Sequence, residues 1–285
     1  MNNVKQWKTL IIDGPFIAHR AYGASYKLTT STGLDSTLMY GFLQSFRAVK
    51  NKFNPDHIMI AWETKHPGCW RSDIYPSYKQ NRPKHHMKEY FAYQEDTQLA
   101  MHLLGITQYM SHNSEADDVI ARLVEGAPKP VVIYANDKDM MQLVQDGVYV
   151  WTGKELFDEE KVKEKYGVEP YQIPDFLALA GDSSDNIAGI KNYGPQKTRQ
   201  FLKKYGTIEN IPLDDTFQKH MMRLQLFKQL TTLKKDCMLI PLYEENESYT
   251  ETLTSLLHKY ELKSVLENIN TYKNIPAGNL DRWLS

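Results

Sequence analysis

The sequence predicts an α/β fold, a mostly parallel central sheet flanked by helices, with a helical region following it. Two observations predict this class. Thr9–Ile12, His57–Trp62 and Val131–Ala135 are short apolar runs, partly β-branched and bounded by polar residues or Pro, as strands are. Helical patterns lie between them, and strands alternating with helices imply parallel pairing with helices on the sheet faces. A third observation concerns function: each run delivers an acid at its carboxyl end.

The elements follow in chain order. The first strand ends in Leu-Ile-Ile and then Asp13. Leu38 to Lys50 carries Leu38, Phe42, Leu43, Phe46 and Val49 near the helical period. The second strand runs through Met-Ile-Ala-Trp into Glu63. From Trp70 to Phe91 the chain is rich in Tyr, Lys, Arg, His and Pro without a clean period, and such a segment is usually functional. Asp96–Leu104 and Asp117–Val124 again read as helices, and the third strand leads into Asp137 and Asp139. From Pro170 onward strand-like runs become scarce. Leu177–Ala180, Pro195–Tyr205 and Met221–Leu233 read as helices between Gly, Pro and Asn turns. The expected division is an α/β core over 1–168 and a smaller helical region over 169–285.

Composition sets limits. No apolar stretch approaches the ~20 residues of a membrane span, and Met1 to Lys8 lacks a signal-peptide core. Cys69 and Cys237 are the only cysteines, so a disulfide framework is not expected and a reducing cytoplasm fits. No Cys/His spacing suits zinc; His85 and His86 stand apart from any CxxC. The chain has 34 basic and 35 acidic residues. Setting aside nine acids assigned below to one site leaves 34 against 26, a balance of +8. A basic surface around an acidic pocket suits a protein that holds cations and grips polyanions.

In open parallel sheets ligands bind beyond the carboxyl ends of the strands. Asp13, Glu63, Asp137 and Asp139 all fall there. Glu115, Asp117 and Asp118 form a further cluster at a helix start. Ser114 as N-cap with Asp117 would explain part of it, as a capping box, but three acids in four residues exceed what a cap needs. Asp182 and Asp185 share a loop after a helix. Carboxylates crowded this way without cations repel by roughly 1–4 kcal/mol per close pair at 4 Å. Oxygen-only ligation suits Mg²⁺ or Mn²⁺, and two such ions ~4 Å apart suit phosphodiester cleavage. A Walker loop is absent, which leaves nucleotide triphosphate hydrolysis without support.

Five ordered motifs carry a resemblance. They are Ile12-Asp13-Gly14 leading into His19-Arg20-Ala21-Tyr22, then Tyr75-Pro-Ser-Tyr78-Lys79-Gln-Asn-Arg82-Pro83, and Glu115-Ala-Asp117-Asp118-Val-Ile. Asp137-Lys138-Asp139-Met-Met-Gln-Leu-Val and Gly181-Asp182-Ser-Ser-Asp185-Asn-Ile-Ala-Gly-Ile complete the set. Over about residues 9 to 210 the chain resembles the 5′-nuclease (flap endonuclease) family, including the 5′→3′ exonuclease domain of bacterial DNA polymerase I and stand-alone bacteriophage 5′-exonucleases. No polymerase portion is present, so it looks like a stand-alone member.

The resemblance implies a helical arch near 70–95 and a helix–three-turn–helix near 181–205. It implies that Asp13, Glu63, Glu115 and Asp117 surround a first divalent ion, and Asp117, Asp137, Asp139, Asp182 and Asp185 a second, with Asp118 supporting either. Arg20, Lys79 and Arg82 would contact the scissile phosphate, and Tyr78 would stack on a base, unless it is a buried core aromatic. Lys191, Asn192, Gly194, Lys197 and Arg199 would hold a DNA phosphate at a helix N-terminus. A K⁺ ion would sit among turn carbonyls near Asn186, Gly189 and Ile190. Two positions depart from the family: Glu63 where Asp is usual, and Asn192 where Gly is common, Asn being tolerant of left-handed backbone.

The expected substrates are DNA with 5′ ends, flaps or branches, and RNA–DNA hybrids if primers are removed. The expected setting is a monomer in the bacterial cytoplasm (a host's, if of phage origin) beside a replication polymerase. Two other classes of function remain: a branched-DNA-binding protein without catalysis, and an endoribonuclease with a similar acidic pocket. Flap binding without cleavage would mark the first, and side-by-side RNA and DNA flap assays would separate the second.

Overall fold

The computed structural model describes residues 6–64, 69–82, 87–212, 218–243 and 250–273. Its elements, in order, are β1 (Thr9–Asp13), α1 (Gly14–Tyr22), α2 (Thr37–Phe53), β2 (His57–Ala61), α3 (Trp70–Ile74), α4 (Met87–Leu103), β3 (Thr107–Met110) and α5 (Ala116–Gly126). Then come β4 (Val131–Tyr134), β5 (Val148–Trp151), β6 (Leu156–Phe157), α6 (Glu159–Tyr166), α7 (Ile173–Ala180) and α8 (Pro195–Tyr205). Helices at Met221–Thr231, Thr250–Lys259 and Lys263–Glu267 follow, with β7 (Ile240–Pro241) between the first two.

The sheet has the order β6-β5-β4-β1-β2-β3-β7. The five central strands pair in parallel, and the two edge strands are antiparallel. The expected α/β class with a mostly parallel sheet is borne out. β1 and β2 are buried along their whole length because helices cover both faces, and that is why they read as unbroken apolar runs. Alternate residues nonetheless divide between two cores. Ile11, Met59, Ala61, Val131 and Ile133 face α5 and α7. Leu10, Ile12, Ile58, Ile60 and Val132 face α1, α2 and α4.

The register aligns the strand ends. Asp13 lies beside Ala61, and Ile12 beside Tyr134, so three strands end together and their next residues emerge at one edge. The turn from β1 into α1 passes so close to Trp62 that a Cβ on Gly14 would lie 2.6 Å from its ring. Glycine is therefore required there, and it lets α1 start directly at Asp13.

The helical part, α7, α8 and Met221–Thr231, packs against the α5 side of the sheet through Phe176, Leu179, Leu202, Leu224 and Phe227. The chain then returns to the sheet. β7 pairs with β3, a strand that the C-terminal sequence pattern did not suggest. Thr250–Lys259 docks on α4, where Lys259 Nζ and Tyr260 Oη reach Asp96 at 2.7 and 2.6 Å. No helix among the described residues is long and apolar enough to cross a membrane.

Candidate metal centre

Each acid is delivered by local chemistry. Asp13 caps α1, its Oδ1 accepting from Phe16 N at 3.0 Å. Asp137 caps the 3-10 turn Lys138–Leu143 by accepting from Asp139 N at 3.0 Å, which fixes Asp139 one step inward. Asp182 caps the next 3-10 turn through Ser184 N at 2.9 Å, and this turn carries Asp185. The Asp182–Ile187 loop closes with two backbone bonds of 2.7 Å. Gly189 (φ 64°) crosses the Ala180–Gly181 backbone so closely that only glycine fits. The cap of α5 falls on Glu115 rather than Ser114, and Asp118 closes it by accepting from Glu115 N at 3.4 Å.

One donor oxygen from each of Asp139, Asp182 and Asp185 lies within 4.8 Å of the others, all three residues being buried. Asp139 Oδ1 has no hydrogen-bond partner among the described residues. A buried, unpartnered carboxylate oxygen costs several kcal/mol unless a cation or proton meets it. The residues present thus fit a divalent ion.

Asp13, Asp117, Asp137 and Glu63 adjoin this group and act on one another electrostatically. Burial, then Glu63 and Asp137, push the Asp13 carboxyl up to about 7. Burial followed by Asp137 and Asp13 raises Asp117 well above the usual range. Burial and then Asp137, Asp185 and Asp182 do the same to Asp139. Asp185 is raised by burial against the pull of Lys79. Glu63 is open to solvent at the rim, yet protein surrounds it on the other sides and, with Glu115, raises its carboxyl.

At three acids the adjoining cations outweigh burial. Burial opposes ionisation of Glu115, but Lys79 Nζ at 2.5 Å and Arg71 at 3.2 Å outweigh it. Lys138 Nζ at 2.6 Å and Ser184 outweigh burial at Asp182. Asp118, 0% exposed, is gripped at both oxygens by Arg71 at 2.7 and 2.8 Å, and also takes Trp70 Nε1 and Lys234 N. Burial is again outweighed. The pocket around Asp139 therefore forms without the Asp118 carboxylate, whose lone pairs are spent on α3 and the 232–234 turn.

The Tyr75–Arg82 segment lies over the pocket and is stitched to the 183–186 turn. Asn81 Nδ2 donates to Ser183 O and Asn186 Nδ2 to Ser77 O, both at 2.7 Å. Lys79 sits at φ 53°, a strained conformation for a lysine, and Arg82 Nη2 reaches Asp185 Oδ1 at 2.8 Å. Tyr78 is only 6% exposed. Its hydroxyl lies 2.8 Å from both Glu115 Oε2 and Asp185 Oδ2, and its ring is a core contact in this conformation rather than a platform for a base. Residues 83–86, the expected middle of the arch, lie outside the described residues.

Other expected residues stand apart. Arg20 is exposed on α1, its guanidinium over Phe16 and Tyr134 and bonded to Ser45 Oγ at 3.0 Å, with no acidic partner among the described residues. Asn192 adopts φ 70°, the left-handed backbone expected of it. Gly194 precedes α8 in open space, with Lys191 and Lys197 exposed nearby and Lys197 Nζ 3.9 Å from the Tyr193 ring. Arg199 instead ties down α6, donating to Tyr166 O at 2.6 Å. Asn186 is also left-handed (φ 61°), its carbonyl 3.4 Å from Tyr75 Oη, and Ile190 N bonds Leu179 O. Two cations escaped the sequence reading. Lys138 had a signal, standing between two acids; Arg71 had none, because its partners are 44 and 47 residues away.

An α/β sheet whose parallel strands end beside a buried acidic cluster, with one carboxylate oxygen unpartnered among the described residues, is the arrangement of an ion-binding enzyme. The comparisons make this specific. Residues 8–167 match the family model of the 5′-3′ exonuclease N-terminal resolvase-like domain, and 168–252 that of the 5′-3′ exonuclease C-terminal SAM fold. A 5′-3′ exonuclease of Aquifex aeolicus is 35% identical over 281 residues, covering 92% of this chain and 96% of that one. The thermostable DNA polymerase I of Thermus thermophilus is 32% identical over 277 residues, covering 91% of this chain but 33% of the polymerase. The T5 D15 protein co-crystallised with metal ions superposes with a TM-score of 0.62 at 17% identity, covering 97% of each chain. Flap endonuclease-1 from Methanococcus jannaschii gives 0.61 at 15% identity, covering 95% of this chain and 93% of that one. The chain belongs to the 5′-3′ exonuclease family, as its motifs suggested.

Proposed function

We propose that this protein is a divalent-ion-dependent 5′→3′ exonuclease and 5′-flap endonuclease that hydrolyses phosphodiester bonds in DNA. The observation that carries this reading is the unpartnered Asp139 Oδ1 of the Asp139–Asp182–Asp185 cluster, beside the sheet edge where Asp13, Glu63 and Asp137 follow β1, β2 and β4 and near Asp117 of α5. Two Mg²⁺ or Mn²⁺ ions would be held by these acids together with Glu115, and when bound they activate water and stabilise charge on the phosphate. Asp118 serves instead as the buried anchor of Arg71.

The chain's own residues do the rest. Lys79 and Arg82 hold two positive charges over the pocket, bonded to Glu115 and Asp185. A phosphodiester entering between them offers a competing anion, so both cations can turn to it and neutralise charge that builds during cleavage. Tyr78, donating to Glu115 or Asp185, keeps these carboxylates pointed inward. The Asn192 turn, the open Gly194 and the N-terminus of α8 form a helix–three-turn–helix that takes a duplex phosphate, with Lys191 and Lys197 beside it. A K⁺ ion among the carbonyls near Asn186, Gly189 and Ile190 would brace that turn. Arg20, without an acidic partner among the described residues, would meet the substrate strand. RNA–DNA hybrids at primers and cooperation with a replication polymerase fit the same chemistry.

The test is cleavage-site mapping on a 5′-end-labelled DNA flap with Mg²⁺ or Mn²⁺, and EDTA as control. Cleavage near the branch that disappears in EDTA and in D137A/D139A is expected. An uncut flap under both ions, or a double variant that cuts normally, would sink the reading.

A further inference from the structure

We propose that the Lys138 ammonium is an internal counter-ion of the Asp139–Asp182–Asp185 cluster, displaced when a divalent ion enters, so that Lys138 sets the ion affinity of that site. The inference rests on reading this cluster as an ion site, and the experiment below separates the two.

Lys138 projects from the 3-10 turn between Asp137 and Asp139, and its Nζ lies 2.6 Å from Asp182 Oδ1. The same oxygen accepts from Ser184 N at 2.9 Å and Ser184 Oγ at 2.5 Å. Ser184 alone therefore holds Asp182 in place, and Lys138 is not needed to orient it. What Lys138 adds is charge. It puts one positive charge on a ligand of the cluster, while another member, Asp139, has its Oδ1 without a hydrogen-bond partner among the described residues. The compensation is incomplete and off-centre, as expected of a stand-in that an ion replaces.

A unit charge and a divalent charge about 5 Å apart repel enough, even in a water-like dielectric, to shift a binding constant roughly tenfold. Lys138 must therefore either weaken the site or leave it. It has somewhere to go. A cavity of about 270 Å³ opens beside the turn, lined by Asn136, Asp137, Thr152, Lys165, Tyr166 and Ser184 among others. Lys138 is itself one of its walls and is 34% exposed, so its flexible four-carbon stem can swing from Asp182 into this space.

The experiment titrates Mn²⁺ into the ion-stripped protein without DNA, reading free Mn²⁺ by electron paramagnetic resonance. K138M and K138Q are compared with wild type and K138R. One Mn²⁺ site should tighten by about tenfold in K138M and K138Q, and by little in K138R. The gain should vanish in a D182N background. In EDTA, K138M should melt lower than wild type, while its melting temperature rises further on adding Mn²⁺. Equal or weaker Mn²⁺ binding in both K138M and K138Q overturns the proposal, because Lys138 would then be a support of Asp182. Wild-type Mn²⁺ binding unchanged by D139N and D182N would overturn the ion site itself and the proposal with it.

Discussion

Replacing Arg71 by Met tests how the pocket is held together and which acids are free to bind ions. The Arg71 side chain is 2% exposed and donates to both Asp118 oxygens, to Glu115, and to the carbonyls of Leu230 and Thr232. It thereby ties α3 to the start of α5 and to the end of Met221–Thr231. Met conserves much of the volume but leaves Asp118 buried with only the Trp70 indole and the Lys234 and Glu115 amides to meet it. Removing one partner of a buried pair costs about 3–5 kcal/mol, a large share of the ~5–15 kcal/mol that stabilises a folded domain. Urea unfolding in EDTA should show that loss as a lower midpoint with an unchanged slope. R71M/D118L should recover most of it, since no charge is then buried alone. The number of Mn²⁺ ions bound by D118N should equal that of wild type. A loss in R71M below ~1 kcal/mol, or a missing ion in D118N, refutes the assignment of Asp118 as an anchor.

Three further outcomes follow from the same geometry. Asp13 is raised from 3.8 to about 7, and Glu63, Asp117, Asp139 and Asp185 are also raised. A raised acid binds its proton more tightly when folded. The ion-free fold should therefore gain stability as pH falls from about 8 toward 4, and a melting temperature in EDTA that falls over that range contradicts the pocket. D139N removes a carboxylate whose oxygen has no partner, so it should melt higher than wild type in EDTA yet cleave at least ~100-fold more slowly; a lower melting temperature would show that the charge is compensated. K191A and K197A should each reduce the salt slope of duplex binding by about one without changing Mn²⁺ affinity, and an unchanged slope would remove α8 from the DNA interface.

The sheet and its acids were readable because β1, β2 and β4 are buried on both faces. Burial forces apolar runs, and an acid after such a run stands out. The edges were not. β3 is Thr-Gln-Tyr-Met, and its ends are only half-buried, so no run appears; β7 is two residues long. The acids' division of labour was also hidden. Asp117 and Asp118 are adjacent and chemically alike, but a helix points neighbours about 100° apart. One faces Asp13 and Asp137, and the other faces Arg71. Only the position of Arg71, set by the packing of α3 against Met221–Thr231, decides between them. Tyr78 was undecided for a similar reason: whether its ring is core or surface depends on how Ser77 and Asn81 dock on the 183–186 turn.

The pocket also dictates how ions must enter. In the ion-free state two devices offset its charge. Lys79 and Lys138 each hold one carboxylate ionised, Glu115 and Asp182, while burial and then the neighbouring acids make Asp13, Asp117 and Asp139 hold protons more tightly than usual. A divalent ion competes with both devices, so its binding near neutral pH must release protons. Calorimetric titration of Mg²⁺ or Mn²⁺ at pH 6.5 in buffers of different ionisation enthalpy should give apparent enthalpies that change with the buffer, corresponding to net proton release. The release should shrink by pH 8.5, above the value near 7 reached by Asp13. Enthalpies independent of buffer at pH 6.5 would mean that the acids are already ionised before the ion arrives, and that the lysines, not protons, balance the site.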